Sequence, residues 1–149
     1  MTANARTEKA YAMIVGRTKI RIIFADTDQM GVVYNSRYLE FFERGRTELL
    51  RELDSPYVEM EKDGIGMPVV EAYCKYIKGP RYDDVILVKS MIAEVPRSTV
   101  RIDYELYDEK ESILFATGYT VHCFLNSQGR PVKPPQSFLE LIRRHMEKA

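Results

Sequence analysis

The chain has 149 residues, 45% apolar and 30% charged, and its 22 basic and 22 acidic side chains give a formal net charge of zero. That length suits one domain over residues 1–149, with room for a sizeable core, and the charge balance excludes a general surface for nucleic acid or anionic membrane. Two cysteines, Cys74 and Cys123, stand far apart and outside any CxxC pattern, which argues against a disulfide scaffold or a structural zinc site. Buried thiols in a reducing cytoplasm are the expectation. The opening MTANARTEKAYAMIVGR makes a poor signal peptide, and no run approaches the ~18 apolar residues of a membrane span.

Along the chain, TKIRIIF (residues 18–24) alternates, with Ile20, Ile22 and Phe24 on one face and Lys19 and Arg21 on the other. That period of two predicts a strand. The acidic stretch DTDQMG follows at 26–31. From Ser36 to about Leu53 the period changes. Tyr38, Phe42, Gly45, Leu49 and Leu53 recur at helical spacing, and Leu39, Phe41 and Leu50 widen the stripe, so a long amphipathic helix is predicted. Gly45 costs up to ~1 kcal/mol against Ala inside a helix, which close approach to a sheet would offset.

Ser55 and Pro56 fit the N-cap and first position of a short second helix ending near Gly64. Four long strand-like runs come next: MPVVEAYCKYIKG, DVILVKSMIAEV, STVRIDYELYD and SILFATGYTVHCFLN. The breakers GPRYDD, PRS and DEKE between them are short enough for hairpins. Ser137 and Glu140 have capping-box spacing, which predicts a terminal helix from there. Consecutive strands joined by short turns are antiparallel, and the aromatic helix is their natural cover. The expected class is α+β, with an antiparallel sheet of about five strands.

Asp26 and Asp28 are the first candidates for chemistry. DTDQMG resembles the start of an EF-hand, but Met30 and Arg37 stand where oxygen ligands are needed, so no metal is expected. The only histidines are His122 and His145. HExxH, GxSxG, Walker and Rossmann patterns are all missing, and no cofactor is implied. Taken alone, the two aspartates would only shape a turn and favour a helix start.

The wider stretch DTDQMGVVYNSRYLEFFERGRTELL closely resembles the signature of the 4-hydroxybenzoyl-CoA thioesterase-like family of hotdog-fold proteins. That signature is a strand, D-x-D-x-x-G-V-V-Y, a histidine or asparagine, and an aromatic-rich helix whose ending ERGRTELL matches. The resemblance continues through GMPVVEAYCKYIKGPRYDD and covers nearly the whole chain. It implies a long helix wrapped by an antiparallel sheet, a homodimer or homotetramer, active sites between subunits, and an acyl-CoA substrate or an acyl carrier protein thioester. It assigns Asp28 as nucleophile or general base, a backbone N–H near Asn35 as the donor to the thioester carbonyl, and Gly31, Val33 and Tyr34 to the substrate-binding loop. A helix N-terminus carries unpaired N–H groups and a positive dipole end, so it can receive a developing oxyanion.

Many bacterial members of that family carry histidine where this chain has Asn35, and tyrosine where it has Phe24. The change removes a possible proton shuttle and an orienting hydroxyl, while the carboxylate and helix start remain. Coenzyme A carries a 3′-phosphate and a pyrophosphate, which need cations. The resemblance points to Arg97 and Ser98 on one turn and to Arg130 and Lys133 in GRPVKPP; ordinary solvated turn charge is the alternative for each. Arg46 and Glu48 fit intrahelical or interface pairs, His122 a packed or interface histidine, and Cys74 and Cys123 core thiols. The expected activity is acyl-CoA thioester hydrolysis. A hotdog hydratase or dehydratase, or a non-catalytic protein binding acyl-CoA or acyl carrier protein, are the competing expectations.

Overall fold

The computed structural model describes residues 11–54 and 57–147. In chain order it contains β1 (Ile14–Arg21), a 3₁₀ turn (Phe24–Asp26), α1 (Arg37–Glu52), α2 (Tyr57–Lys62), β2 (Val69–Tyr76), β3 (Val85–Ile92), β4 (Val100–Asp108), β5 (Leu114–His122), β6 (Phe124–Leu125), β7 (Pro131–Val132) and α3 (Gln136–Glu147). Five strands form one sheet in the order β1-β3-β4-β5-β2, every pair antiparallel. β6 and β7 make a separate small hairpin. The α+β class and the long helix against an antiparallel sheet are as the sequence predicts.

The apolar stripe of α1 makes the core. Tyr38, Phe41, Phe42, Gly45, Leu49 and Leu50 are buried against sheet residues that include Ile20, Val88, Ile102 and Leu106. Gly45 lies hard against the sheet. A Cβ there would fall 2.6 Å from Val88 Cγ1 and 2.7 Å from Ser90 Oγ, so the predicted close approach is observed. Phe42 stacks on Tyr104 of β4 with ring centroids 4.5 Å apart.

One polar chain crosses this core. Arg46 Nη1 donates to Tyr104 Oη at 3.1 Å, Tyr104 Oη lies 2.7 Å from Thr120 Oγ1, and Thr120 Oγ1 lies 2.8 Å from His122 Nε2. His122 Nδ1 is 3.1 Å from the Met67 carbonyl. A carbonyl only accepts, so Nδ1 carries the proton, Nε2 accepts from Thr120, and Thr120 accepts from Tyr104. Every bond in the chain then runs one way. Burial, and after it the charge of Arg46, push the His122 pKa down to about 4. His122 is the packed histidine expected.

Several expected boundaries move. The first strand starts earlier, at Ile14, and ends at Arg21. The chain turns there, and Phe24 is 77% exposed instead of lying on the core face. Leu39 is likewise exposed and does not widen the stripe. The segment GPRYDD is not a hairpin, because β2 pairs with β5 and not with β3. The last long run breaks at Cys123, whose N–H bonds to Pro68 O, before β6 begins. Ser137 lies inside α3 and does not cap it; Pro135 O accepts from Phe138 and Leu139 instead. Cys74 and Cys123 are only partly buried. Ser55 and Pro56 lie outside the described residues.

Among the described residues β2 is an edge strand, with a neighbour on one side. Val69, Val70, Tyr73 and Tyr76 along it, with Ile77 just beyond, are each 47–57% exposed.

Candidate active site

The loop from β1 to α1 is built on its two aspartates, which take different tasks. Asp26 is buried, 8% exposed. Its Oδ2 accepts from Ile23 N at 3.0 Å, its carbonyl accepts from Tyr34 N at 2.8 Å, and its Oδ1 is 4.0 Å from Arg37 Nε. Those contacts close the loop upon itself. Asp28 is less buried. Its Oδ1 accepts from Met30 N at 2.8 Å, the self-bonding turn that aspartate favours. Its Oδ2 has no hydrogen bond among the described residues.

The turn works because Gly31 sits at φ +79°, a region that side chains disfavour. Asp28 N donates to Val32 O at 2.9 Å and Gly31 N to Asp28 O at 3.0 Å. The segment before β3 clamps the loop from outside: Val33 N donates to Pro80 O at 2.9 Å, and Val32 bridges Arg81.

The loop delivers the chain to the start of α1. Ser36 precedes the helix, and its side chain makes no capping bond. Among the described residues the backbone N–H groups of Asn35 and Ser36 have no backbone acceptor. They are orphan donors at the positive end of the helix dipole. The Tyr76 hydroxyl donates to the Asn35 carbonyl at 3.1 Å and so ties the helix start to the end of β2.

A cavity of about 300 Å³ opens at this meeting point, lined by Asp28, Val32, Val33, Tyr34, Asn35 and Tyr38, and by Tyr76–Gly79 at the end of β2. Of the predicted site residues, Asp28, Val33, Tyr34 and Asn35 therefore come together, and Gly31 shapes the turn beside them. The sequence reading misses Tyr38, Tyr76 and Lys78. Tyr38 counts there only as part of the apolar stripe, although a hydroxyl at the start of such a stripe is itself a signal. Burial, then its neighbours Cys74, Tyr76 and Asp28, push the Tyr38 pKa up to about 12. No histidine lines the cavity. His122 is committed to the core, and His145 bonds Leu141 O within α3.

The predicted phosphate ligands stand elsewhere. Arg97 and Ser98 are exposed on the β3–β4 connection, beside a surface cavity of about 540 Å³ shared with Arg101 and Asp103. Arg130 lies in the β6–β7 turn, where Asn126 Oδ1 accepts from its backbone N–H at 3.0 Å, and Lys133 follows β7. β3 starts beside Ile22, whose N–H bonds Asp84 O, and ends opposite Ile14. β5 ends at His122, opposite Val69 and Val100. Both basic groups thus sit at the end of the sheet remote from Asp28, roughly 25 Å away at ~3.3 Å per strand residue. A single chain does not bring them to the cavity.

The residues 22–142 match the family model described as the thioesterase-like superfamily, a span that contains the loop, α1 and the sheet from β2 to β5. The acyl-CoA thioesterase YbgC of Haemophilus influenzae is 32% identical over 118 residues, covering 78% of this chain and 86% of that protein. A crystal structure of a hypothetical protein from Aquifex aeolicus is 34% identical, with a TM-score of 0.78, covering 85% of this chain and 98% of that one. The DHNA-CoA thioesterase from Staphylococcus aureus is 31% identical, with a TM-score of 0.75 and 80% of each chain covered. Since the matched span is most of the chain and carries the cavity and its two flanking elements, this protein belongs to the thioesterase-like superfamily and has its hotdog fold.

Proposed function

We propose that the chain is an acyl-CoA thioesterase, one hotdog domain over residues 1–149, which hydrolyses a thioester to a carboxylic acid and free coenzyme A. The observation that carries this reading is that Asp28, whose Oδ2 has no hydrogen bond among the described residues, and Asn35, whose N–H has no backbone acceptor among them, line one cavity at the start of α1. The carbonyl oxygen lies against the helix start. Asp28 attacks the carbonyl carbon or draws a proton from the water that does. In the second route the C–S bond breaks and the thiolate leaves with that proton; in the first the thiolate is expelled from an anhydride between Asp28 and the acyl group, which water then hydrolyses to free the acid and the carboxylate. Preorganised donors of this kind contribute ~10²–10³ in rate each. Asn35 supplies no imidazole, so Asp28 alone handles the proton. Metal and cofactor have no part in this scheme.

The working unit in this reading is at least a dimer, with pairs of dimers forming a tetramer in the cytoplasm. Two copies joined antiparallel along β2 would complete its open edge and cover Val70 and Tyr73. Antiparallel pairing sets the Val69 end of one strand beside the Tyr76 end of the other. The remote cations of one copy, Arg97, Arg130 and Lys133, are then carried toward the Asp28 end of its partner, where they hold the phosphates of the coenzyme.

Thiol release from purified protein over a panel of aromatic and aliphatic acyl-CoAs tests the activity. Turnover of at least one member is expected. Tight binding with no thiol released would instead make the chain a non-catalytic acyl-CoA binder. Light scattering that finds only monomer at assay concentration would remove the two-copy site.

A further inference from the structure

Tyr38 holds a polar group that the fold does not use. The residue is 3% exposed, its ring packs edge-on against Tyr76 at 4.8 Å and against Phe41 at 6.3 Å, and no hydrogen bond among the described residues reaches its hydroxyl. Buried hydroxyls are nearly always satisfied. Ser90 Oγ is sealed from solvent without a partner, and Tyr38 Oη is not among such sealed atoms, so it keeps some surface, and the residue lines the cavity. The rest of the lining is largely apolar, from Val32, Val33 and Ile77. Tyr38 is the second residue of α1, two residues after Ser36, and lines the same cavity as Asp28 and Asn35. It is thus near the point where a carbonyl carbon would sit if its oxygen met the Asn35 N–H.

We propose that the Tyr38 hydroxyl and the Asp28 carboxylate together hold the attacking water, which makes Tyr38 a further catalytic residue and Asp28 a general base. This rests on the thioesterase reading above. The water gives one hydrogen bond to Asp28 Oδ2 and one to Tyr38 Oη, and one of its two lone pairs faces the carbonyl carbon. As the O–C bond forms, the proton on the Asp28 side passes to the carboxylate. The C–S bond then breaks, and Asp28 returns that proton to the thiolate. Tyr38 gains and loses nothing. Its pKa, about 12, keeps it a neutral phenol throughout. A second acid or base is not needed, which suits a chain with Asn35 where many bacterial members of the family carry histidine.

Tyr38→Phe isolates the hydroxyl, because the ring and its packing remain. Loss of one neutral hydrogen bond to the water should lower kcat about tenfold and leave KM for the acyl-CoA unchanged. The melting temperature and the oligomeric state should equal or exceed those of the wild type, since no protein contact is removed. Single-turnover hydrolysis in heavy-oxygen water should put the label in the released acid and none in Asp28. An unchanged kcat, a raised KM with normal kcat, a lowered melting temperature, or label found in Asp28 would each overturn the assignment while leaving the thioesterase reading intact. A wild-type protein inert on the whole panel would overturn both.

Discussion

Asp26→Asn and Asp28→Asn form the most informative pair, because the two carboxylates are two residues apart and differ in task. In Asp28→Asn the one bond that Asp28 makes can persist, since an amide oxygen also accepts from Met30 N. The folding free energy of that variant should stay within ~0.5 kcal/mol of wild type, a shift of no more than about 2 °C in a protein of this size. The same change removes the proton acceptor from the cavity. A general base contributes ~10²–10⁴ in rate, or about 3–5 kcal/mol of barrier at ~1.4 kcal/mol per tenfold. Asp26 is reversed in both respects. Its Oδ2 holds Ile23 N inside the loop, and a hydrogen bond to a charged acceptor is about twice as strong as one to a neutral acceptor. Asp26→Asn should therefore cost about 1 kcal/mol of stability, or about 3 °C, with less than a tenfold loss of rate at temperatures where the variant stays folded. Thermal melts and thiol-release kinetics on the same samples read both quantities. Wild-type turnover in Asp28→Asn would refute the reasoning, and so would a greater loss of rate in Asp26→Asn.

Gly45→Ala should destabilise, although alanine is the better helix former by ~1 kcal/mol: the new methyl meets Val88 and Ser90 at 2.6 and 2.7 Å, and overpacking costs ~1–3 kcal/mol, so urea midpoints should fall. Stability should also decline as pH drops from about 6.5 to about 4. In that window unfolded His122 binds a proton that the folded state refuses, so stability rises with pH there, by roughly 3 kcal/mol over the window at ~1.4 kcal/mol per pH unit; denaturation at pH 7 and pH 4.5 should show a smaller difference in His122→Asn than in wild type. Charge reversal at Arg97, Arg130 and Lys133 should raise KM for acyl-CoA and barely change it for a pantetheine thioester lacking the nucleotide. Equal losses on both substrates would assign these side chains to folding.

The parts legible in the sequence were those governed by local rules. The stripe through Phe42, Leu49 and Leu53 has one period and one neighbour, and α1 follows it closely. Asp28, Gly31 and the helix start are close in sequence, so their spacing alone brings them to one turn. What sequence reading lost were the non-local decisions. GPRYDD has the length of a hairpin, yet its residues bond back to the acidic loop through Pro80, Arg81 and Asp84, which leaves β2 to find β5. Phe24 continues the alternation of Ile20 and Ile22, but Asp26 Oδ2 captures Ile23 N and bends the chain first. Ser137 and Glu140 match a capping box, but Pro135 already supplies the carbonyl that starts α3. Tyr38 was hidden because packing accounted for its ring and left its hydroxyl uncounted.

The strand order has a consequence for synthesis. β2 is made before β5, its one neighbour among the described residues, and roughly 46 residues, from Tyr76 to His122, must still be translated before β5 is complete. At ~5–20 residues per second that is a delay of about 2–9 s. For that time a segment with Val69, Val70 and Tyr73 has both edges unpaired, which is the condition under which strands of neighbouring nascent chains join wrongly. Crowded polysomes, fast codons upstream of β2 and slow codons before β5 would all lengthen or aggravate that exposure. The yield of native protein should therefore respond to translation rate in the stretch between Tyr76 and Leu114.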